Sequence, residues 1–153
     1  MISGDDRVAS YNPMTGDELW SCPGTAEATC GTVVSWKTFV FASGGYPARQ
    51  TVCIDATTGT KVWEDKVKSY EQSMLVANDH LFAITDDGIA MCWDAATGER
   101  KWKHRLSGPI SASPVLVGHL IYATNEAGKT WIFEADTTAY RQVAENQLGQ
   151  EAF

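Results

Sequence analysis

Apolar residues in this chain fall in short runs broken by Gly, Asp, Asn and Thr, and no run continues at helical spacing. The clearest stretch is residues 73–106. Met74-Leu75-Val76-Ala77 reads as a strand, Asn78-Asp79 as a turn, and Leu81-Phe82-Ala83-Ile84-Thr85 as a second strand. Asp86-Asp87-Gly88 supplies a tight turn, with Gly88 suited to positive φ. In the third strand both alternating sets, Ile89/Met91/Trp93 and Ala90/Cys92, are apolar. A strand apolar on both faces belongs between covered layers, not on a half-wet sheet. Glu99-Arg100-Lys101-Trp102-Lys103-His104 sets charges around one aromatic, as an outer strand facing water would. The stretch predicts a four-stranded antiparallel meander.

The same course is repeated. Upstream, Thr32–Ser35, Phe39–Ala42, Thr51–Ile54 and Lys61–Glu64 form one unit. Downstream, Ser113–Val117, Leu120–Thr124, Lys129–Phe133 and Tyr140–Ala144 form another. A turn motif marks the repeat: Asp55-Ala56-Thr57-Thr58-Gly59 followed by Trp63, and Asp94-Ala95-Ala96-Thr97-Gly98 followed by Trp102. Asn12-Pro13-Met14-Thr15-Gly16 with Trp20 is a weaker copy, and in the last unit Thr138 stands at the Gly position with no Trp after it. In the turn, the Asp carboxylate can accept from amides two residues on, and Gly closes the turn without a Cβ penalty. An interval of roughly 40 residues is the mark of a repeat architecture.

Four-stranded units of that length with two apolar faces must cover one another, as the blades of a β-propeller do. The expected fold is therefore all-β, an incomplete propeller of about three and a half blades. The partial first blade (1–22) is expected to contribute its outer two strands. Full blades follow at 30–68, 73–106 and 112–144, and 145–153 leads toward a further blade. Helical repeats lack support in the pattern, and an immunoglobulin-like sandwich would not repeat its turn and Trp so regularly. A ring needs four to eight blades, so two flanks are expected to be open. Their apolar area predicts self-association.

Composition narrows the function. Of 153 residues 44% are hydrophobic, enough for a core, and 12 Lys and Arg against 19 Asp and Glu give a net charge of −7. With no basic block in the sequence, nucleic acid is not an expected partner. No apolar run approaches the roughly 20 residues of a membrane helix, and Met1–Asp6 lacks a leader's pattern. Cys53 and Cys92, at equivalent repeat positions, read as buried thiols, whereas a Cys22–Cys30 bridge across a loop stays open. No zinc or redox spacing occurs. His80, His104 and His119 form no ligand pair, and Asp5-Asp6 and Asp86-Asp87 are too few oxygens for calcium.

Two features depart from the repeat. The loop Ser43–Gln50 is longer than its counterpart, and its Tyr46, Pro47 and Arg49 make it the candidate binding loop, a neutral insertion being the alternative. Trp36 stands where the other units carry turn residues and is a candidate surface contact. Periodic Trp20, Trp63 and Trp102, with Asp55, Gly59, Asp94 and Gly98, are assigned to the repeat structure instead.

On these motifs, above all Asp94-Ala95-x-Thr97-Gly98-x-x-x-Trp102, the chain resembles the pyrroloquinoline-quinone-like β-propeller repeat family over nearly its whole length. The resemblance implies a parent of seven or eight blades and an extracytoplasmic, periplasmic setting. Some members are dehydrogenases that hold the quinone and calcium in the central channel. Those use a calcium-binding Glu and Asn, a catalytic Asp, a stacking Trp and often an adjacent Cys pair. Others keep the scaffold without cofactor, including a lipoprotein that aids outer-membrane β-barrel assembly. No residue of this chain matches the catalytic or calcium positions, so no cofactor is assigned. The reading is a non-catalytic binding or scaffolding segment with protein or peptide partners; a fragment of a quinone-dependent dehydrogenase is the alternative.

Overall fold

In the computed structural model, which describes residues 1–152, fifteen strands among the described residues build four antiparallel sheets. The first blade holds β1 (Ile2–Gly4), β2 (Arg7–Tyr11) and β3 (Glu18–Pro23). The second holds β4 (Val34–Trp36), β5 (Phe39–Gly44), β6 (Gln50–Asp55) and β7 (Lys61–Asp65). The third is β8 (Leu75–Ala77), β9 (His80–Ile84), β10 (Ile89–Asp94) and β11 (Arg100–Arg105). The fourth is β12 (Val115–Val117), β13 (Leu120–Thr124), β14 (Lys129–Glu134) and β15 (Gln142–Gln147). Strands follow chain order in every sheet, each a meander, and none closes into a barrel. The arrangement is a partial propeller.

Alternation decides which side chain serves which neighbour. On β10, Met91 and Trp93 pack with Phe41 and Cys53 of the second blade. Ala90 and Cys92, one residue out of phase, pack with Ile121, Ala123, Trp131 and Phe133 of the fourth. Val8 and Cys22 of the first blade meet Val40, Ala42, Val52 and Ile54 of the second. The core is thus a series of apolar layers between successive blades, and the doubly apolar middle strands are the reason.

Four details differ from the sequence reading. The first blade has three strands rather than two. Ile2–Gly4 pairs with β2 across the two-residue turn Asp5-Asp6, whose φ of 55° and 58° suits a tight hairpin. In the fourth blade the turn joins Phe133 to Gln142, where the equivalent turns join Ile54 to Lys61 and Trp93 to Arg100. It therefore carries two extra residues, and Asp136 takes over the capping role by accepting from the Thr138 amide and hydroxyl, each at 2.6 Å. Glu145–Gln147 complete β15 instead of leading onward; Phe153, the end of that lead-in, lies outside the described residues. Finally, all four cysteines are free, which removes the Cys22–Cys30 bridge.

Burial pushes the thiols of Cys53 and Cys92 up to about 12, and both are 0% exposed. Cys30 alone is exposed. In the folded protein an alkylating reagent is expected to modify Cys30 and spare the other three; intact mass before and after unfolding checks it.

Candidate functional site

The repeat motif works across blades. Trp63 on β7 donates its indole N–H to the Ala95 carbonyl of the third blade at 3.0 Å. Trp20 donates to Ala56 at 2.8 Å, and Trp102 to Asp136 at 2.9 Å. Trp20 and Trp63 also lie against the next blade's turn glycine. A Cβ on Gly59 would meet Trp20 at 2.7 Å, and one on Gly98 would meet Trp63 at 2.6 Å. Asp55 and Asp94 hold those turns by accepting from Thr57 and Thr97. In the fourth turn Tyr140 packs edge-on to Trp102 with centroids 5.9 Å apart. The predicted structural set is therefore a chain of junctions. Trp63→Phe, which keeps a ring but loses the donor, is expected to lower stability by about 1 kcal/mol in a urea titration.

The candidate contact residues are not brought together. The turns Lys37-Thr38 and Asp55–Gly59 lie side by side, since the Ala56 amide donates to the Thr38 carbonyl at 2.7 Å. Trp36 ends β4 at that rim, whereas the Gly44–Gln50 connection lies at the opposite end of β5. The turn proper is Lys37-Thr38, so Trp36 matches Ala77 and Val117 rather than a turn position. Its indole donates to Asp79 of the third blade at 3.0 Å and stacks on Phe39 at 5.8 Å. Tyr46 and Pro47 are exposed, joined by a cis peptide bond, and the Tyr46 carbonyl accepts from the Ala28 amide at 3.1 Å.

Arg49 faces something the sequence does not announce. A groove of about 680 Å³ lies between the second and third blades. Its floor includes Val67, Ile89 and Met91. Lys103 and Arg105 rise from β11 directly across from Met91 and Ile89. Lys66 and Lys68, just past β7, form the facing wall, with Arg49 and Arg100 completing the cations. Six of the chain's 12 Lys and Arg thus line one groove in a protein of net charge −7.

Two of the six are paired. Lys68 meets Asp86 at 2.9 Å, and Arg100 forks onto Asp65. The Asp65 carboxylate also accepts from Trp93 Nε1 at 2.7 Å. Burial pushes the Asp65 pKa up, but hydrogen bonds from Arg100 and Trp93 outweigh it and hold the group below the ordinary range. Asp87 is also lowered, first by the Thr85 hydroxyl and further by Arg105 and Arg49. Among the described residues no salt bridge engages Arg49, Lys66, Lys103 or Arg105.

The carboxylate shifts set an acid dependence. Groups whose folded pKa is depressed contribute stability above their unfolded value, and that contribution is lost as pH falls through the folded one. Asp65, Asp87 and Asp94 are all lowered. The urea midpoint is expected to stay level above about pH 5 and to fall progressively below about pH 4. Asp65→Asn should flatten that fall while lowering the neutral-pH midpoint.

The groove contains no nucleophile–base pair. Among the described residues no three His, Cys, Asp or Glu side chains converge as a metal cradle would require. The repeat Trp side chains are committed to blade junctions. No helix among the described residues is long and apolar enough to cross a membrane.

The family model for the outer membrane protein assembly factor BamB matches residues 1–104. The crystal structure of BamB from Moraxella catarrhalis superposes with a TM-score of 0.79 at 19% identity, covering 96% of this chain and 46% of that one. This chain thus spans about half the length of that relative. A europium-containing methanol dehydrogenase gives 0.64 at 19% identity, covering 77% of this chain and 24% of that enzyme. The quinohemoprotein alcohol dehydrogenase ADHIIG from Pseudomonas putida HK5 gives 0.62 at 18%, covering 74% and 20%. No curated protein matches the chain in sequence.

Proposed function

This chain belongs to the family of the outer membrane protein assembly factor BamB, and from that membership we propose that it is a non-catalytic scaffold holding other polypeptides in the cell envelope. The observation that carries the reading is the family match, joined to a fold likeness that spans nearly the whole chain. The broad faces of the inner blades are spent on packing, which leaves rims and grooves for partners. The setting is periplasmic or otherwise extracytoplasmic in the full-length protein. The exposed rim loop with Tyr46, Pro47 and Arg49 is one contact point.

Deleting the full reading frame from its bacterial host is expected to lower the content of outer-membrane β-barrel proteins, measured by quantitative proteomics of outer-membrane fractions. Unchanged content would overturn the scaffold reading. Pyrroloquinoline quinone with calcium is expected to leave the thermal midpoint of the full-length protein unmoved, because a ligand that binds only the folded state must raise it; a concentration-dependent rise would favour the dehydrogenase.

The outer flanks support a second contact mode. Val115 and Val117 are exposed and alternate with Leu116, which packs into the core. Ile2 is exposed opposite the side on which Val8 packs. Isolated residues 1–153 should therefore self-associate through these flanks, with a concentration-dependent mass in analytical ultracentrifugation.

A further inference from the structure

We propose that the basic groove between the second and third blades is a docking site for an extended acidic segment of another polypeptide, in which carboxylates alternate with apolar side chains. The proposal deepens the scaffold reading and rests on it. Its first support is charge segregation: six of the chain's 12 cations line one groove against two lining carboxylates, Asp86 and Asp87, while the molecule as a whole carries −7. An acidic partner is repelled by most of the surface and drawn to this strip, which selects both approach and orientation.

The second support is spacing. Lys103 and Arg105 lie two residues apart on one face of β11, about 7 Å along the strand. Lys66 and Lys68 are likewise two apart on the facing wall. Alternate residues of an extended peptide have that same repeat. A single phosphate or carboxylate would need donors converging on one point, whereas these are strung out in line.

The third support is the floor. Met91 and Ile89 sit directly across the strand pair from Lys103 and Arg105, with Val67 nearby. The small apolar side chains, on the face opposite the carboxylates, would cover this floor, while the long lysine and arginine stems reach past them to the carboxylates. A nucleic-acid backbone offers charge but nothing for it. Arg49 extends the strip from the long loop, so that loop acts as one wall of the groove.

The test uses fluorescence anisotropy with residues 1–153 and a short labelled peptide alternating glutamate with valine. A glutamine–valine peptide, single-stranded RNA and vesicles containing phosphatidylglycerol serve as comparisons. Saturable binding of the glutamate peptide is expected, weakening as salt rises. K103E/R105E should reduce affinity about tenfold or more. The neutral K103Q/R105Q should reduce it less, with thermal midpoints near that of the parent. Equal binding of the glutamine peptide, preference for RNA or vesicles, or indifference to both variants would each overturn the proposal. Those outcomes leave the scaffold reading standing, since it is judged by the deletion and by the quinone measurement instead.

Discussion

Trp93→Ala is expected to remove about 3–5 kcal/mol of stability, the range for truncating a large aromatic in a core that cannot collapse around the gap. Trp93 is fully buried and packs from β10 into the apolar layer beneath the second blade. Its indole N–H reaches Asp65 at 2.7 Å, on the carboxylate that Arg100 also holds. Truncation therefore opens a cavity and strips a donor from a partly buried anion at once. Trp93→Phe weighs the two effects differently, because it keeps a six-membered ring, leaves a smaller gap and loses the donor. It should cost about 1–2 kcal/mol. Equilibrium denaturation of both variants checks the pair, and a Trp93→Ala loss under 1 kcal/mol would contradict the packing described for this layer.

Gly98→Ala is expected to destabilise by about 2–5 kcal/mol, well beyond the usual effect of adding one methyl group to a turn. The backbone at Gly98 has a φ of +73°, which alone disfavours an L side chain by about 1–2 kcal/mol. The new Cβ would also press on the Trp63 ring at 2.6 Å, and displacing a packed indole adds about 1–3 kcal/mol. Gly16 supplies the internal control. Its φ is +81°, but nothing lies within 4 Å of its Cβ position. Gly16→Ala should show the backbone penalty without the displacement. The difference between the two variants measures how much the indole contact contributes to a blade junction, and equal effects would remove that contact from the account.

The meander was legible because its determinants are local. Two-faced apolar alternation at Ile89–Trp93 and the Asp-to-Gly turns specify strand, turn and layer within a few residues. The assignment of Trp20, Trp63 and Trp102 to packing likewise followed from their recurrence. What they pack against was not legible, since each indole and the turn that receives it belong to different blades. The short strand Ile2–Gly4 escaped notice because it offers only one apolar residue, and its pairing rests on the Asp5-Asp6 hairpin. The fourth turn was misaligned because its five residues were counted from Glu134, whereas two extra residues shift the capping carboxylate to Asp136.

The groove was hidden for a different reason. Arg49, Lys66–Lys68 and Arg100–Arg105 are three separated segments, and although the last carries four Lys and Arg in six residues, it reads by itself only as a charged, water-facing outer strand. Blade stacking makes them neighbours. One local signal was available: Lys103 and Arg105 alternate with Trp102 and His104, so the cations share a face that the aromatics do not. Read with the inward pairing of Met91 and Ile89, that alternation points the charges toward the second blade.

The seam between blades has a polarity. At the first two seams an indole points forward onto the next blade's glycine, and at the third onto a turn without one, so damage inflicted on a tryptophan is felt downstream of the sheet that carries it. Loss of Trp63 would leave β7 in place and loosen the Asp94–Gly98 corner, where amide exchange should quicken first. Such a stack frays in one preferred direction, like a zip with a single slider.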